Sequence, residues 1–202
     1  MRIVVLVSGS GTNLQAVLDA VSSGELDVEI AAVGSDVPGC GGLERSAAAG
    51  VETFAVPLEK GLARKDPAYA AEVRAAWNRK LREAVRSHSP GLVVSSGFMR
   101  ILGAEFLDGV GVPVINTHPA LLPSFPGAHA VRDALAHGVK ITGCTVHQVD
   151  AGVDTGPIIA QEAVRIHDGE DEASLHERIK VQERRLLVET LAGISAGEIA
   201  LS

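Results

Sequence analysis

The chain has 202 residues, 46% of them hydrophobic, which is enough to bury one core or two closely joined lobes. Its net charge of −7, the lack of a basic block and an aromatic content of 3% argue against a nucleic-acid partner or an anionic membrane surface. Cys40 and Cys144 have no metal-ligand spacing, the opening "MRIVVLVSGSG" is too short an apolar run for a signal peptide, and no run approaches the ~18 apolar residues of a membrane span, so a reducing, cytoplasmic setting is expected.

Strand-like and helical patterns alternate along the chain. "RIVVLV" (2–7) precedes "NLQAVLDAVSSG" (13–24), and "VEIAAVGS" (28–35) precedes "GLERSAAAG". "VETFAV" (51–56) precedes a helical stretch over 69–88, in which Tyr69, Val73, Trp77, Leu81 and Val85 form an apolar stripe and Trp77 reads as core. "GLVVSS" (91–96) leads into "GFMRILGAEFL", and "VPVINT" (112–117) ends the series. Continuous apolar runs suit strands covered on both faces, and the alternation predicts βαβ units in a parallel sheet. After residue 138, "KITGCTVHQVD" and "PIIAQEAVRI" predict an antiparallel pair, and a helix over 171–192 with Leu175, Ile179, Leu186 and Leu187 closes the chain. The expected fold is α/β: an open, mostly parallel Rossmann-like sheet flanked by helices, with antiparallel C-terminal strands and a final helix. Ligands of such sheets sit at the carboxyl ends of the strands.

The loop "SGSGTN" (8–13) joins the first strand to the first helix. Glycines at a helix start let backbone N–H groups approach an anion. A P-loop needs a lysine and a longer loop. A dinucleotide fingerprint needs a third glycine where Leu14 stands, although Asp36 after the second strand matches its ribose-binding acid in part. A single phosphate on Gly11, Thr12 and Asn13 is the favoured reading, beside a simple capping box made by Thr12 and Gln15.

The stretch "INTHPALLPSFPGAHAV" (115–131) ends a buried strand on two polar residues, Asn116 and His118. Residues i and i+2 of a strand face the same way, so both side chains address one place while Thr117 points elsewhere. Pro119 keeps the exit extended. An amide and an imidazole aimed at one point make an oxyanion site, though a turn-capping histidine and a backbone-satisfying asparagine would look the same. The Gly-rich loop "QVDAGVDTGPI" adds Asp150 and Asp154. A carboxylate, an imidazole and an amide are parts for acyl transfer. His147, on a strand, reads as packed, and a zinc site of His118, His147 and an Asp lacks any supporting spacing.

These stretches together resemble the phosphoribosylglycinamide formyltransferases, the folate-dependent glycinamide ribonucleotide transformylase family of purine synthesis. The matching segments are "VSGSGTNLQA", "GFMRIL", "INTHPALLPSFPG", "VHQVDAGVDTGPII" and "KVQERRLL", which span residues 4–187 in the family's order. The block around Asn116 and His118 is shared with other 10-formyltetrahydrofolate enzymes. The phosphate loop and the length point to this branch, since a methionyl-tRNA formyltransferase or a formyltetrahydrofolate hydrolase would carry a further domain.

The resemblance implies a formyl transfer from 10-formyltetrahydrofolate, the co-substrate, to the amine of glycinamide ribonucleotide, without a metal. It implies Asn116, His118 and Asp154 as the catalytic trio. Gly11, Thr12 and Asn13 would hold the phosphate, with Lys180 and Glu183 meeting the ribonucleotide from the final helix. Met99, Arg100, Ile101 and Leu102, with Asn116, would line the folate, joined by Arg74 or, alternatively, Arg64. One domain over 1–202 is expected, with a phosphate-binding half (1–110) and a catalytic and folate-binding half (111–202), in a monomer or homodimer. Two other readings remain: an NAD-binding module built on "SGSGTN" and Asp36, and a hydrolase that releases formate using the same trio.

Overall fold

The apolar run Ile3–Val7 becomes the central strand β1 (Arg2–Val7), in which all five of these residues are fully buried. The computed structural model describes residues 1–201. Around β1 it builds α1 (Thr12–Ser23), β2 (Glu29–Ser35), α2 (Gly41–Ala48), β3 (Thr53–Ala55), a 3-10 turn (Leu62–Arg64), α3 (Pro67–Arg86), β4 (Leu92–Ser95) and α4 (Ala104–Val110). There follow β5 (Val114–His118), α5 (Ala130–His137), β6 (Ile141–Gln148), β7 (Ile158–Arg165) and α6 (Glu172–Ser195).

The strands form one seven-stranded sheet in the order β3-β2-β1-β4-β5-β6-β7. The first five are parallel, and β6 pairs antiparallel with both β5 and β7, the antiparallel pair that the change of pattern after residue 138 predicts. Strand alternation divides the core in two. Ile3, Val5 and Val7 pack with Leu14 and Val17 of α1 and with Leu175, Ile179, Leu187 and Leu191 of α6. Val4 and Leu6 pack on the other face with Trp77, Leu81 and Val85 of α3 and Phe106 of α4. Both faces are therefore covered, which is why the strands read as unbroken apolar runs.

Three expectations need correction. The stripe on α3 does not include Tyr69, which is exposed and donates its hydroxyl to Glu59. The first turn of α3, capped by the Asp66 carboxylate, is largely exposed, Val73 is half-buried, and full burial begins at Trp77. Trp77 itself is core, stacked on Phe98 with its indole N–H donated to the Val56 carbonyl. β3 is a three-residue edge strand rather than the six-residue run expected, and its hydrogen bonds to β2 reach only from the Glu52 carbonyl to the Val56 N–H. The short α5 was not expected at all, since its eight residues follow a proline-rich loop and hold only two helical turns of apolar pattern.

Candidate active site

The carboxyl ends of β1, β4 and β5 meet in one row, and every residue singled out from the first loop and the Asn–His motif lies there. Gly11 caps α1 in the left-handed region at φ 69°, with no side chain capping the helix. The capping-box reading of Thr12 and Gln15 is therefore not realised: Thr12 is already the first helical residue, and Gln15 donates to Asp19 and accepts from Arg45 instead. The first N–H groups of a helix have no intrahelical acceptor, so those of α1 remain suited to an anion.

Gly11 is glycine for a second reason. A Cβ there would stand 2.6 Å from Cα of Gly42. The loop is clamped by α2, where Gly42 N–H donates to the Gly9 carbonyl at 2.9 Å and Arg45 Nε donates to the Ser10 carbonyl at 2.8 Å. Nothing in local periodicity announces Arg45 as the residue that holds this loop.

Asp36 does not serve as a ribose acid. It is 4% exposed, its Oδ2 accepts from Arg100 Nε at 2.6 Å, and its Oδ1 accepts from the Ser8 hydroxyl. Ser8 Oγ in turn accepts from the Met99 N–H at 2.8 Å. These contacts fasten the 8–13 loop to residues 97–102 and leave the NAD reading without its carboxylate. In that segment Met99 and Ile101 are exposed, at 70% and 62%, while Leu102 is buried. An exposed apolar rim of this kind is suited to a flat heterocycle. Arg74 lies on the exposed side of α3, and the carbonyl of Arg74 accepts from Asn78 Nδ2 at 3.0 Å. Asn78 Oδ1 then accepts from the Gly103 N–H at 2.9 Å, which places this turn of α3 against the end of the 99–102 segment. Arg64 is exposed on the 3-10 turn before α3.

Asn116 and His118 share one face of β5, and Asp154 reaches them from the β6–β7 loop. Asp150 shapes that loop, its Oδ1 accepting from the Gly152 N–H at 3.0 Å and the Thr155 hydroxyl at 2.7 Å. Asp154 adopts a left-handed φ of 55°, which turns its carboxylate inward. Its Oδ2 accepts from the Gly127 N–H at 2.7 Å and lies 3.3 Å from His118 Nδ1. His118 is 4% exposed, and its Nε2 donates to the Phe125 carbonyl at 2.8 Å. A carbonyl only accepts, so a proton sits on Nε2, and Nδ1 faces the Asp154 carboxylate.

His147 is packed as expected, at 2% exposure, but it also belongs to the site. Its Nε2 lies 3.2 Å from Asn116 Nδ2 and 3.6 Å from Asp154 Oδ1. The neighbouring His147 above all, then the Gly127 N–H and His118, hold the Asp154 carboxyl below the usual carboxylate range, against a burial effect that raises it. Among the described residues no group of three or more His, Cys, Asp or Glu side chains converges in an arrangement that could hold a metal ion.

Thr117 points to the opposite face of β5, toward Glu183 of α6 and Asn13 of α1. Glu183 is 5% exposed, and burial pushes its carboxyl up, although Thr117, Asn13, Lys180 and Arg184 all pull it down. Thr117 Oγ1 and Asn13 Oδ1 are buried without a partner of ordinary hydrogen-bond geometry. Lys180, one turn before Glu183, pairs with Glu177 at the surface. Asn116, His118 and Asp154 thus lie on one side of β5, and Thr117, Asn13 and Glu183 on the other.

Residues 1–191 match the formyl transferase family profile. A phosphoribosylglycinamide formyltransferase of Mycobacterium tuberculosis (strain ATCC 25618 / H37Rv) is 50% identical over 194 residues, covering 96% of this chain and 85% of its own length. The Escherichia coli (strain K12) phosphoribosylglycinamide formyltransferase is 34% identical over 201 residues, covering 100% of this chain and 90% of its own. Among solved structures, glycinamide ribonucleotide transformylase 1 from Symbiobacterium toebii matches with a TM-score of 0.88 at 41% identity, covering 100% of this chain and 91% of that one. With the Gly-rich loop at the start of α1, the Asn–His strand end and the inward aspartate in one fold, this chain belongs to the phosphoribosylglycinamide formyltransferase branch of the formyl transferase family.

Proposed function

We propose that Asn116, His118 and Asp154 carry out formyl transfer from 10-formyltetrahydrofolate to the amine of glycinamide ribonucleotide, giving formylglycinamide ribonucleotide and tetrahydrofolate in purine synthesis. The observation that carries this reading is the meeting of three groups at the end of β5: the Asn116 amide, the His118 imidazole on the same strand face, and the Asp154 carboxylate 3.3 Å from that imidazole.

The folate supplies a formyl group on nitrogen. The substrate amine attacks its carbon, and the carbonyl electron pair moves onto oxygen. Asn116 and His118 donate to that oxyanion, an arrangement in which losing one donor typically costs about 10²–10³ in rate. His118, which donates to the Phe125 carbonyl in this structure, exchanges that partner for substrate. Asp154 orients the ring and takes part in ordering the water that carries the amine's proton. As the tetrahedral centre collapses, the carbon–nitrogen bond to the folate breaks and that nitrogen receives a proton from the His118 side.

The N–H groups at the start of α1, with Gly11, Thr12 and Asn13, receive the phosphate. Glu183 and Lys180 meet the ribonucleotide, and Met99, Arg100, Ile101, Leu102 and Arg74 meet the folate. In this reading residues 1–202 act as one domain, 1–110 binding phosphate and 111–202 carrying the chemistry and the folate, in a cytoplasmic monomer or homodimer. The test is tetrahydrofolate release measured with and without glycinamide ribonucleotide. Release that depends on the ribonucleotide supports transfer. Equal release without it, as formate, would mean a hydrolase.

A further inference from the structure

Ser95, Asn116 and His147 lie side by side across three adjacent strands. Ser95 pairs with Asn116 in the β4–β5 ladder, and Asn116 pairs with His147 in the β5–β6 ladder. Partners in register point to the same face of a sheet, so their side chains form one row. Asn116 Oδ1 accepts from the Ser95 hydroxyl at 2.8 Å, and Asn116 Nδ2 faces His147 Nε2 at 3.2 Å. On its other side, His147 Nδ1 is 2.8 Å from the backbone carbonyl of Gln148.

The row has a direction, and one end of it cannot change. The Gln148 carbonyl only accepts, so His147 Nδ1 carries a proton. A neutral ring with that tautomer presents a lone pair at Nε2, which demands a donor. Asn116 must then turn Nδ2 toward His147 and Oδ1 toward Ser95. Ser95 fits either orientation, because a hydroxyl can donate or accept. His147 therefore decides the amide orientation and Ser95 completes it. Asp154 Oδ1, 3.6 Å from Nε2, is a partner for the charged ring only, and that pairing is what holds the Asp154 carboxyl low; the neutral ring takes the Asn116 amide at 3.2 Å.

We propose that His147, with Ser95, is a positioning residue that fixes the Asn116 side-chain amide so that one Nδ2–H is held by the imidazole and the second is aimed at the developing oxyanion. This rests on the reading of Asn116 as an oxyanion donor. A turned amide would place its acceptor oxygen where the donor belongs, and the transition state would meet a lone pair. Because the oxyanion exists only in the transition state, the loss falls on kcat rather than on substrate KM.

The experiment compares His147→Leu, His147→Gln and Ser95→Ala in the wild-type and Asn116→Ala backgrounds, by steady-state kinetics with both substrates. The expected result is a loss of kcat of about tenfold or more for His147→Leu, with KM values held within about threefold. His147→Gln, whose Oε1 stands near the place of Nε2, recovers most of that loss. Ser95→Ala costs a smaller factor. In the Asn116→Ala background, both His147→Leu and Ser95→Ala add less than about twofold, because the group they orient is gone. Equal losses in the two backgrounds, or no advantage of Gln over Leu, would overturn the inference. If His147→Leu does not fold, the Ser95→Ala and His147→Gln cycles carry the same test. If Asn116→Ala alone leaves kcat unchanged, the oxyanion role of Asn116 fails instead, and this inference falls with it.

Discussion

Asp154 reaches His118 from a backbone conformation uncommon for a residue with a side chain: its carboxylate stands 3.3 Å from Nδ1 while its φ is 55°. Aspartate tolerates the left-handed region better than most residues, yet the conformation still costs of order 1 kcal/mol and persists only where surroundings enforce it. Here the enforcing contacts are the Gly127 N–H on the carboxylate and the turn closed by Asp150.

Asp154→Asn is expected to lower kcat by about 10²–10⁴ with small changes in KM. The same substitution gives a stability signature. The Asp154 carboxyl is held low, chiefly by His147, so its charged form adds stability above its unfolded value near ~3.9, and that stability is lost as pH falls through the lower folded value. The Tm gap between wild type and mutant is expected to be full at neutral pH and to close in strong acid. Calorimetry across that range checks it, and a gap independent of pH would remove the electrostatic role.

Glu183 has the opposite sign. Burial raises its carboxyl, so the folded state holds a proton longer than the unfolded chain does, and stability declines as pH rises above the unfolded value near ~4.3. Glu183→Gln is expected to raise Tm at pH 7–8 and to leave it unchanged near pH 3. It is also expected to raise the KM for glycinamide ribonucleotide by about tenfold or more, the worth of a hydrogen bond to a charged group. A mutant that is neither more stable nor weaker in substrate binding would contradict both statements.

Gly11→Ala is expected to fail by unfolding before it fails by binding. The residue sits at φ 69°, and a Cβ would come 2.6 Å from the Gly42 backbone. A cost of about 1–3 kcal/mol follows from the conformation alone, or several degrees of Tm. The phosphate role is better read from Asn13→Ala, which should weaken the ribonucleotide and leave folate affinity unchanged. Thermal unfolding of the first variant and substrate titration of the second provide the two checks.

Arg74→Ala is expected to raise the KM for the folate several-fold, while Arg64→Ala leaves it unchanged. The motive is the link from Arg74 through Asn78 to Gly103, which seats that turn of α3 beside the apolar rim of Met99 and Ile101. The 3-10 turn with Arg64 has no such link to the rim among the hydrogen bonds of the described residues. A folate KM that responds only to Arg64→Ala would exchange the two roles.

Strand–helix alternation, the change of pattern after residue 138 and the polar ending of β5 were all legible in the sequence. So was the pairing of Asn116 with His118 on one face, because period-two alternation is a property of the strand itself. The resemblance carried by five short segments identified the family that the comparisons then showed. Tertiary structure alone decided which polar groups meet. Asp36 belongs to Ser8 and Arg100, Gly11 packs on Gly42, and His147 joins Asn116. Each of these contacts joins residues 28 or more apart, through strand register or helix packing. Local periodicity encodes which face a side chain takes; only the order and register of strands across the sheet decide what stands opposite it.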